Sequence, residues 1–377
     1  MQDKALVATR KGLFELNRTP AGWEIGRVSF LGEPVSMVLS DPRDGTQYAA
    51  LNLGHFGVKL HRRNAGVDAG AETGADAGAE SWTEIAAPAF PSQPDAAAGD
   101  VAWTVTLIWS LAAGGADQPG VLWAGTLPGG LFRSCDRGDS WELITALWNT
   151  PERKEWQGGG YDQPGIHSIC VDPRDSRRVL VGVSTGGAWL TRDGGATWTI
   201  SAAGMHAEYM PPELADNQNV QDPHQIAQCP AAPDILWCQH HNGIWRSGNG
   251  GALWERIVTQ APLPDFGFAV AVHPTNPDTA WFAPAVADQK RIPLDAAMSV
   301  SRTRDGGKSF ETLRVGLPQR HCYDLVYRHG LVVAANGTTL LMGSTTGGLW
   351  VSSDAGDTWN ELAMRLPPIY AVRFTAG

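Results

Sequence analysis

One aromatic residue returns about once every 55 residues through the whole chain, at Trp23, Trp82, Trp141, Trp198, Trp254, Phe310 and Trp359. The intervals are 59, 59, 57, 56, 56 and 49 residues. A period in this range means an array of equal supersecondary units, none large enough to bury its apolar face alone, so the units must stack or close on one another. It overrides the two or three domains that a length of 377 residues would otherwise suggest.

The unit itself is legible. In 166–200, His167-Ser-Ile-Cys-Val-Asp-Pro173 alternates and stops at a proline turn, and Val179-Leu-Val-Gly-Val183 follows as a second strand. Thr185-Gly-Gly187 turns the chain into Ala188-Trp-Leu-Thr191, and Trp198-Thr-Ile200 is a fourth strand. Four short antiparallel strands per repeat are a β-propeller blade. The fold class predicted is all-β, a single seven-bladed propeller of four-stranded antiparallel blades over 1–377. Ala5-Leu-Val-Ala-Thr9 matches a second strand, and the missing first strand is Ile369-Tyr-Ala-Val-Arg-Phe374. Blade 1 is therefore expected to be composite, from 1–30 and 367–377, closing the ring by pairing the terminal strands and leaving no open sheet edge. Segment 63–80, rich in Gly, Ala and acidic residues, reads as a flexible low-complexity insertion.

Five of the aromatics end a longer motif: Ser134-Cys-Asp136-Arg-Gly138-Asp-Ser140-Trp141 and its counterparts at 191–198, 247–254, 303–310 and 352–359. An Asp or Asn carboxyl or amide oxygen accepts backbone N–H bonds inside a tight turn, and glycine permits positive φ there. These acids are expected to staple the turn between strands three and four. The pattern resembles the Asp-box, or BNR-repeat, propellers, whose motif is Ser/Thr-x-Asp-x-Gly-x-Thr-Trp. The copy at 247–254 departs from it with Asn249 and Leu253, and blades 1 and 2 keep only the aromatic. The resemblance implies the architecture; the family spans sialidases, xyloglucan hydrolases, sorting receptors and photosystem assembly factors, and so implies no single activity. A true sialidase is disfavoured. It needs three arginines clamping a carboxylate, and Arg10, Arg153, Arg291 and Arg320 share no motif.

Strand order puts the Asp motif on one face and the start of strand one, with the turn between strands two and three, on the other. The long connections 145–165 and 201–223 emerge on that second face, where binding residues are expected to collect. His167 and His224 begin adjacent blades, each six residues before its proline. His55, His206, His240, His241 and His321 are placed on the same face, and His61, His273 and His329 away from it. The innermost ring reads Tyr370, Ser36, a residue near Trp103, His167, His224, Phe268 and Tyr323. From this set His167, His224, Asp162 and Tyr323 are the predicted catalytic residues. Arg10, His55, Trp103, Trp156, Tyr161, Gln225, His240, Phe268, Arg320 and Tyr370 are the predicted substrate contacts.

Converging imidazoles suit a divalent metal (Mn, Zn, Fe or Ca), with His167, His224, His241 and His321 as predicted ligands. No nucleotide or organic cofactor is expected. The reading is an enzyme of hydrolase or lyase type acting on a small polar or carbohydrate-like molecule; the alternative is a non-catalytic propeller that binds a ligand or a protein. The formal charge of −10 argues against a nucleic-acid partner, and no apolar run reaches membrane-spanning length. Five cysteines without a paired spacing, behind an N-terminus lacking a secretory pattern, are expected to be reduced thiols in a cytoplasmic protein.

Overall fold

A computed structural model describes residues 3–66, 81–93, 102–259 and 263–376. It contains seven four-stranded antiparallel sheets arranged as the blades of a propeller. Blade 4 illustrates the unit: Ile166–Val171, Val179–Val183, Gly187–Thr191 and Thr199–Ile200 follow in order from the channel outward. All five residues of Val179–Val183 are buried, because each sheet has another sheet on both faces and alternation gives way to a continuous apolar run. Among the described residues no helix is long and apolar enough to cross a membrane.

The ring closes as expected. Ile369–Phe374 pairs antiparallel with Lys4–Thr9, with Val7 opposite Val372 and Ala5 opposite Phe374. Of the predicted insertion 63–80, residues 67–80 lie outside the described residues. Arg63 does not belong to it: it ends the strand Val58–Arg63 and is buried, with Nη2 2.5 Å from Glu15 in blade 1. All five cysteines are free thiols, four of them buried.

Three of the periodic aromatics join successive blades by hydrogen bonds. The indole N–H of Trp82 donates to Ser29 Oγ (3.1 Å), that of Trp141 to the Ala86 carbonyl (3.0 Å) and that of Trp254 to the Ser201 carbonyl (2.8 Å). In each case the acceptor lies in, or at the end of, the preceding blade. The Asp motifs are turn staples. Asp136 accepts from the backbone N–H (2.9 Å) and the hydroxyl (2.6 Å) of Ser140, and Gly138 adopts φ +90°. Asp193, Asp305 and Asp354 repeat the pair of bonds toward Thr197, Ser309 and Thr358. Asn249 keeps only the backbone bond, from Leu253 (2.9 Å).

Six of the seven inner strands carry a register shift near the channel. The extra residue is Tyr370 in blade 1, Ser36 in blade 2, Trp109 in blade 3, His167 in blade 4 and His224 in blade 5; in blade 6 the shift falls across Phe268 and Ala269. A bulge releases one residue from the ladder and re-aims its side chain. Neighbouring residues tie the inner strands together: Ser110 Oγ donates to the Ile166 carbonyl (2.9 Å), Ser168 Oγ accepts from the Ile226 N–H (3.0 Å), and Gln225 Oε1 accepts from the Val270 N–H (2.8 Å).

Candidate functional site

On the face opposite the Asp motifs, the bulges open into a cavity of about 560 Å³ at the mouth of the channel. Ser36, Trp109, Phe268 and Tyr370 reach it from bulges, Arg10 from a tight turn of blade 1, and Tyr161 from the loop 145–165. Arg291 comes from the insertion in blade 6, and Tyr327, Arg328 and His329 from the approach to the inner strand of blade 7. Among the described lining residues there is no carboxylate.

Arg328 is the unusual member. It is 6% exposed, and its guanidinium lies over the rings of Trp109 (4.7 Å) and Phe268 (5.4 Å). Its Nε and Nη2 make no hydrogen bond among the described residues. Burial lowers it to about 10, with Asp222 opposing that shift. Arg291 lies 5.3 Å from the Phe268 ring and is paired with Asp288. Tyr161 packs edge-on against Trp109 (5.2 Å), and burial raises its phenol, as it does that of Tyr370. The arrangement offers cations and N–H donors between aromatic plates.

Beside this cavity lies a second cluster, Asp222, His224 and His241. Asp222 Oδ2 is 3.5 Å from His224 Nε2 and 3.4 Å from His241 Nδ1. The His224 ring stacks on Phe268 at 4.4 Å, and its Nδ1 donates to the Gly267 carbonyl at 2.6 Å. Burial tends to raise the Asp222 carboxyl; His224, His241 and Arg328 outweigh it and hold it well below its ordinary value. Burial lowers His224, against the pull of Asp222.

The structure brings together Arg10, Tyr161, Phe268 and Tyr370 in the cavity lining, and His224 with His241 beside it. His167 is fully buried near the same centre, edge-on to Trp109 at 5.5 Å, with Nδ1 2.9 Å from Ser168 Oγ; it stands outside the Asp222 cluster as a ligand. Burial, and then Arg328 and His329, hold it well below its ordinary value. The other predictions are corrected. Trp103 packs edge-on against Trp148 at 5.4 Å, and the channel residue of blade 3 is Trp109. Tyr323, Arg320 and His321 are exposed and do not line the cavity, because the inner strand of blade 7 is Leu331–Val333, later than the sequence reading placed it. His329, assigned away from this face, lines the cavity.

Trp156 is a core residue bonded to Asn219 (2.9 Å), and Gln225 is the inter-blade tie described above. His240 is buried with its ring nitrogens 3.1 Å from the Asp222 N and 3.0 Å from the Asn242 N; the one unprotonated nitrogen of the neutral ring accepts from one of these N–H groups, which supports the turn that carries His241. Burial holds it down to about 3. Asp162 and His55 are exposed near the rim and are not lining residues. Arg328, Trp109 and Tyr327 are the functional candidates that the sequence reading left out of its site; Asp222, which it expects near the channel mouth, is absent from its ligand set.

No family model matches the chain. It is 26% identical over 272 residues to a probable oligoxyloglucan-reducing end-specific xyloglucanase of Neosartorya fischeri, a match covering 64% of this chain and 30% of that protein. A xyloglucanase of Acetivibrio thermocellus is 25% identical over 278 residues, again covering 30% of its length. The chain thus spans about 30% of the length of these curated relatives. Among solved structures, a GH74 xyloglucanase from Xanthomonas campestris superposes with a TM-score of 0.61 at 15% identity, over 96% of this chain and 52% of that one. At that identity the likeness speaks to fold alone.

Proposed function

We propose that the chain is a carbohydrate-acting enzyme, of hydrolase or lyase type, whose substrate sits in the channel-mouth cavity and carries an anionic group such as the carboxylate of a sugar acid. The observation that carries this reading is Arg328, a buried cation whose Nε and Nη2 lack hydrogen-bond partners among the described residues, lining a cavity walled by Trp109, Phe268, Tyr161 and Tyr370. A volume of about 560 Å³ is in the ordinary range for a small-molecule site. Aromatic faces suit sugar rings, and guanidinium N–H groups match carboxylate oxygens in paired geometry. The xyloglucanases that the chain resembles support carbohydrate as the ligand class.

Glycoside hydrolysis in its usual form needs two carboxyl groups flanking the bond, and the described lining supplies none. Cleavage in this cavity instead draws on the arginines to stabilise an anionic centre. In hydrolysis, water adds to the anomeric carbon as the glycosidic C–O bond breaks; the phenol of Tyr161 or Tyr370, protonated at neutral pH, donates to the leaving oxygen and regains the proton that the attacking water releases. The test is calorimetric titration of the full chain with uronate-containing and neutral xyloglucan oligosaccharides, with product analysis by mass spectrometry. Binding and cleavage of the acidic sugars, abolished in Arg328→Met, is the expected result. Preference for neutral oligosaccharides overturns the anionic assignment, tight binding without turnover overturns the enzyme, and binding of neither overturns the carbohydrate reading.

A further inference from the structure

The contacts within the cluster beside the cavity are long for hydrogen bonds. The Gly267 carbonyl can only accept, so His224 Nδ1 carries its proton and donates at 2.6 Å. That leaves Nε2 of a neutral ring as a lone pair, directed at a carboxylate oxygen 3.5 Å away. His241 Nδ1 stands 3.4 Å from the same oxygen. Both separations are longer than a good N–H···O bond, which falls between about 2.7 and 3.2 Å. They match another arrangement. A tetrahedral ion with bonds of about 2.1 Å to nitrogen and oxygen holds its ligand atoms about 3.4 Å apart.

We propose that Asp222, His224 and His241 form a binding site for one divalent transition-metal ion. The three ligand atoms lie within 4.8 Å of one another. Two imidazole nitrogens and one carboxylate oxygen favour zinc, iron, cobalt or nickel over calcium, which takes six to eight oxygens. The backbone orients the set. The Nδ1–H of His224 on a carbonyl fixes the tautomer that presents Nε2, the usual outer support of a metal-bound histidine. Pro223 pairs with His240 across the hairpin, and the His241 N–H donates to the Asp222 carbonyl at 3.0 Å, so the strand register holds the three ligand residues together. Three protein ligands leave a position open for water or a substrate oxygen. Phe268, stacked on His224, also lines the cavity, which puts that position beside the proposed saccharide site.

The experiment uses the full chain stripped with a chelator and dialysed. Zinc(II) and cobalt(II) are titrated by calorimetry, the cobalt sample is followed by its visible absorption, and calcium(II) serves as a control. One equivalent of zinc or cobalt is expected to bind, with an intense tetrahedral cobalt spectrum. His241→Ala, at the solvent side of the cluster, and Asp222→Asn are each expected to weaken binding tenfold or more. Circular dichroism and the melting temperature verify that each variant is folded. Absence of uptake overturns the site, as does uptake unchanged in both variants or calcium bound as tightly as zinc. The site does not rest on the carbohydrate reading. Saccharide titration of the stripped protein separates the two: retained sugar binding without metal uptake overturns the metal site alone, and metal uptake without sugar binding overturns the carbohydrate reading alone.

Discussion

Arg328→Met is expected to make the free protein more stable while removing ligand binding. The guanidinium is buried, and burial lowers it from its ordinary value to about 10 even with Asp222 nearby. At about 1.4 kcal/mol per pKa unit, holding that charge in the folded chain costs about 3 kcal/mol at neutral pH. The sign follows from a base whose folded value lies below its unfolded one. The penalty is fully present below about pH 10 and is lost as pH rises from there to the ordinary value of a guanidinium. Methionine keeps the apolar stem against Trp109 and Phe268 but fills less space, which returns about 1 kcal/mol. The net gain is about 1–3 kcal/mol, or a rise of about 1–4 °C in Tm for a chain of this length. Scanning calorimetry of both proteins, with and without a sugar acid, measures it. The parent should rise on addition of ligand and the variant should not. A destabilisation of more than about 1 kcal/mol in the free variant refutes the reasoning, since it means that Arg328 is a satisfied structural cation.

Three further outcomes follow from the fold. Asp354→Ala removes the acceptor of the Thr358 N–H (2.9 Å) and hydroxyl (2.6 Å) and should cost about 1–3 kcal/mol in urea unfolding, with saccharide binding unchanged. The staple carboxylates Asp193 and Asp305 are lowered from 3.8 to about 2, first by the hydroxyls of Thr197 and Ser309. Their contribution is therefore complete above about pH 4 and lost as pH falls through about 2, which a series of melts across that window should show. Val372→Asp sets an unpaired charge at a fully buried position of the closing strand and should abolish cooperative folding, read as loss of the thermal transition or as aggregation during refolding.

The blades were legible because turn chemistry repeats along the chain, and the site was legible only where that chemistry holds. Counting six residues back from Pro42, Pro173, Pro230 and Pro274 gives Ser36, His167, His224 and Phe268, all at the channel. Besides blade 1, where Ala376 stands in its place, blades 3 and 7 lack the proline. There the equivalent turn residues are Gly115 and Ala335, following Gly114 and Ala334, whose N–H groups close the turns onto Val121 and Thr339. The same count from those positions gives Trp109 and His329. The signal was therefore present, carried by a turn without its usual residue. Asp222 was harder to assign. Its partnership with His241 depends on hairpin register, where a shift of one residue exchanges the faces. Arg291 reaches Phe268 from an insertion that obeys no repeat, and its approach is set by the local pair with Asp288.

The bulged inner strands separate two demands that usually conflict. A residue in the ladder must satisfy its neighbours on both strands, so its identity is constrained by the sheet. The extra residue at a bulge is released from the backbone ladder, while Ser110, Ser168 and Gln225 next to it carry ties between blades. A position such as Tyr370, part-buried, can therefore be exchanged for side chains of other chemistry with little loss of stability. A frame of this kind can be re-specified toward new ligands one position at a time, each step leaving a folded protein for the next.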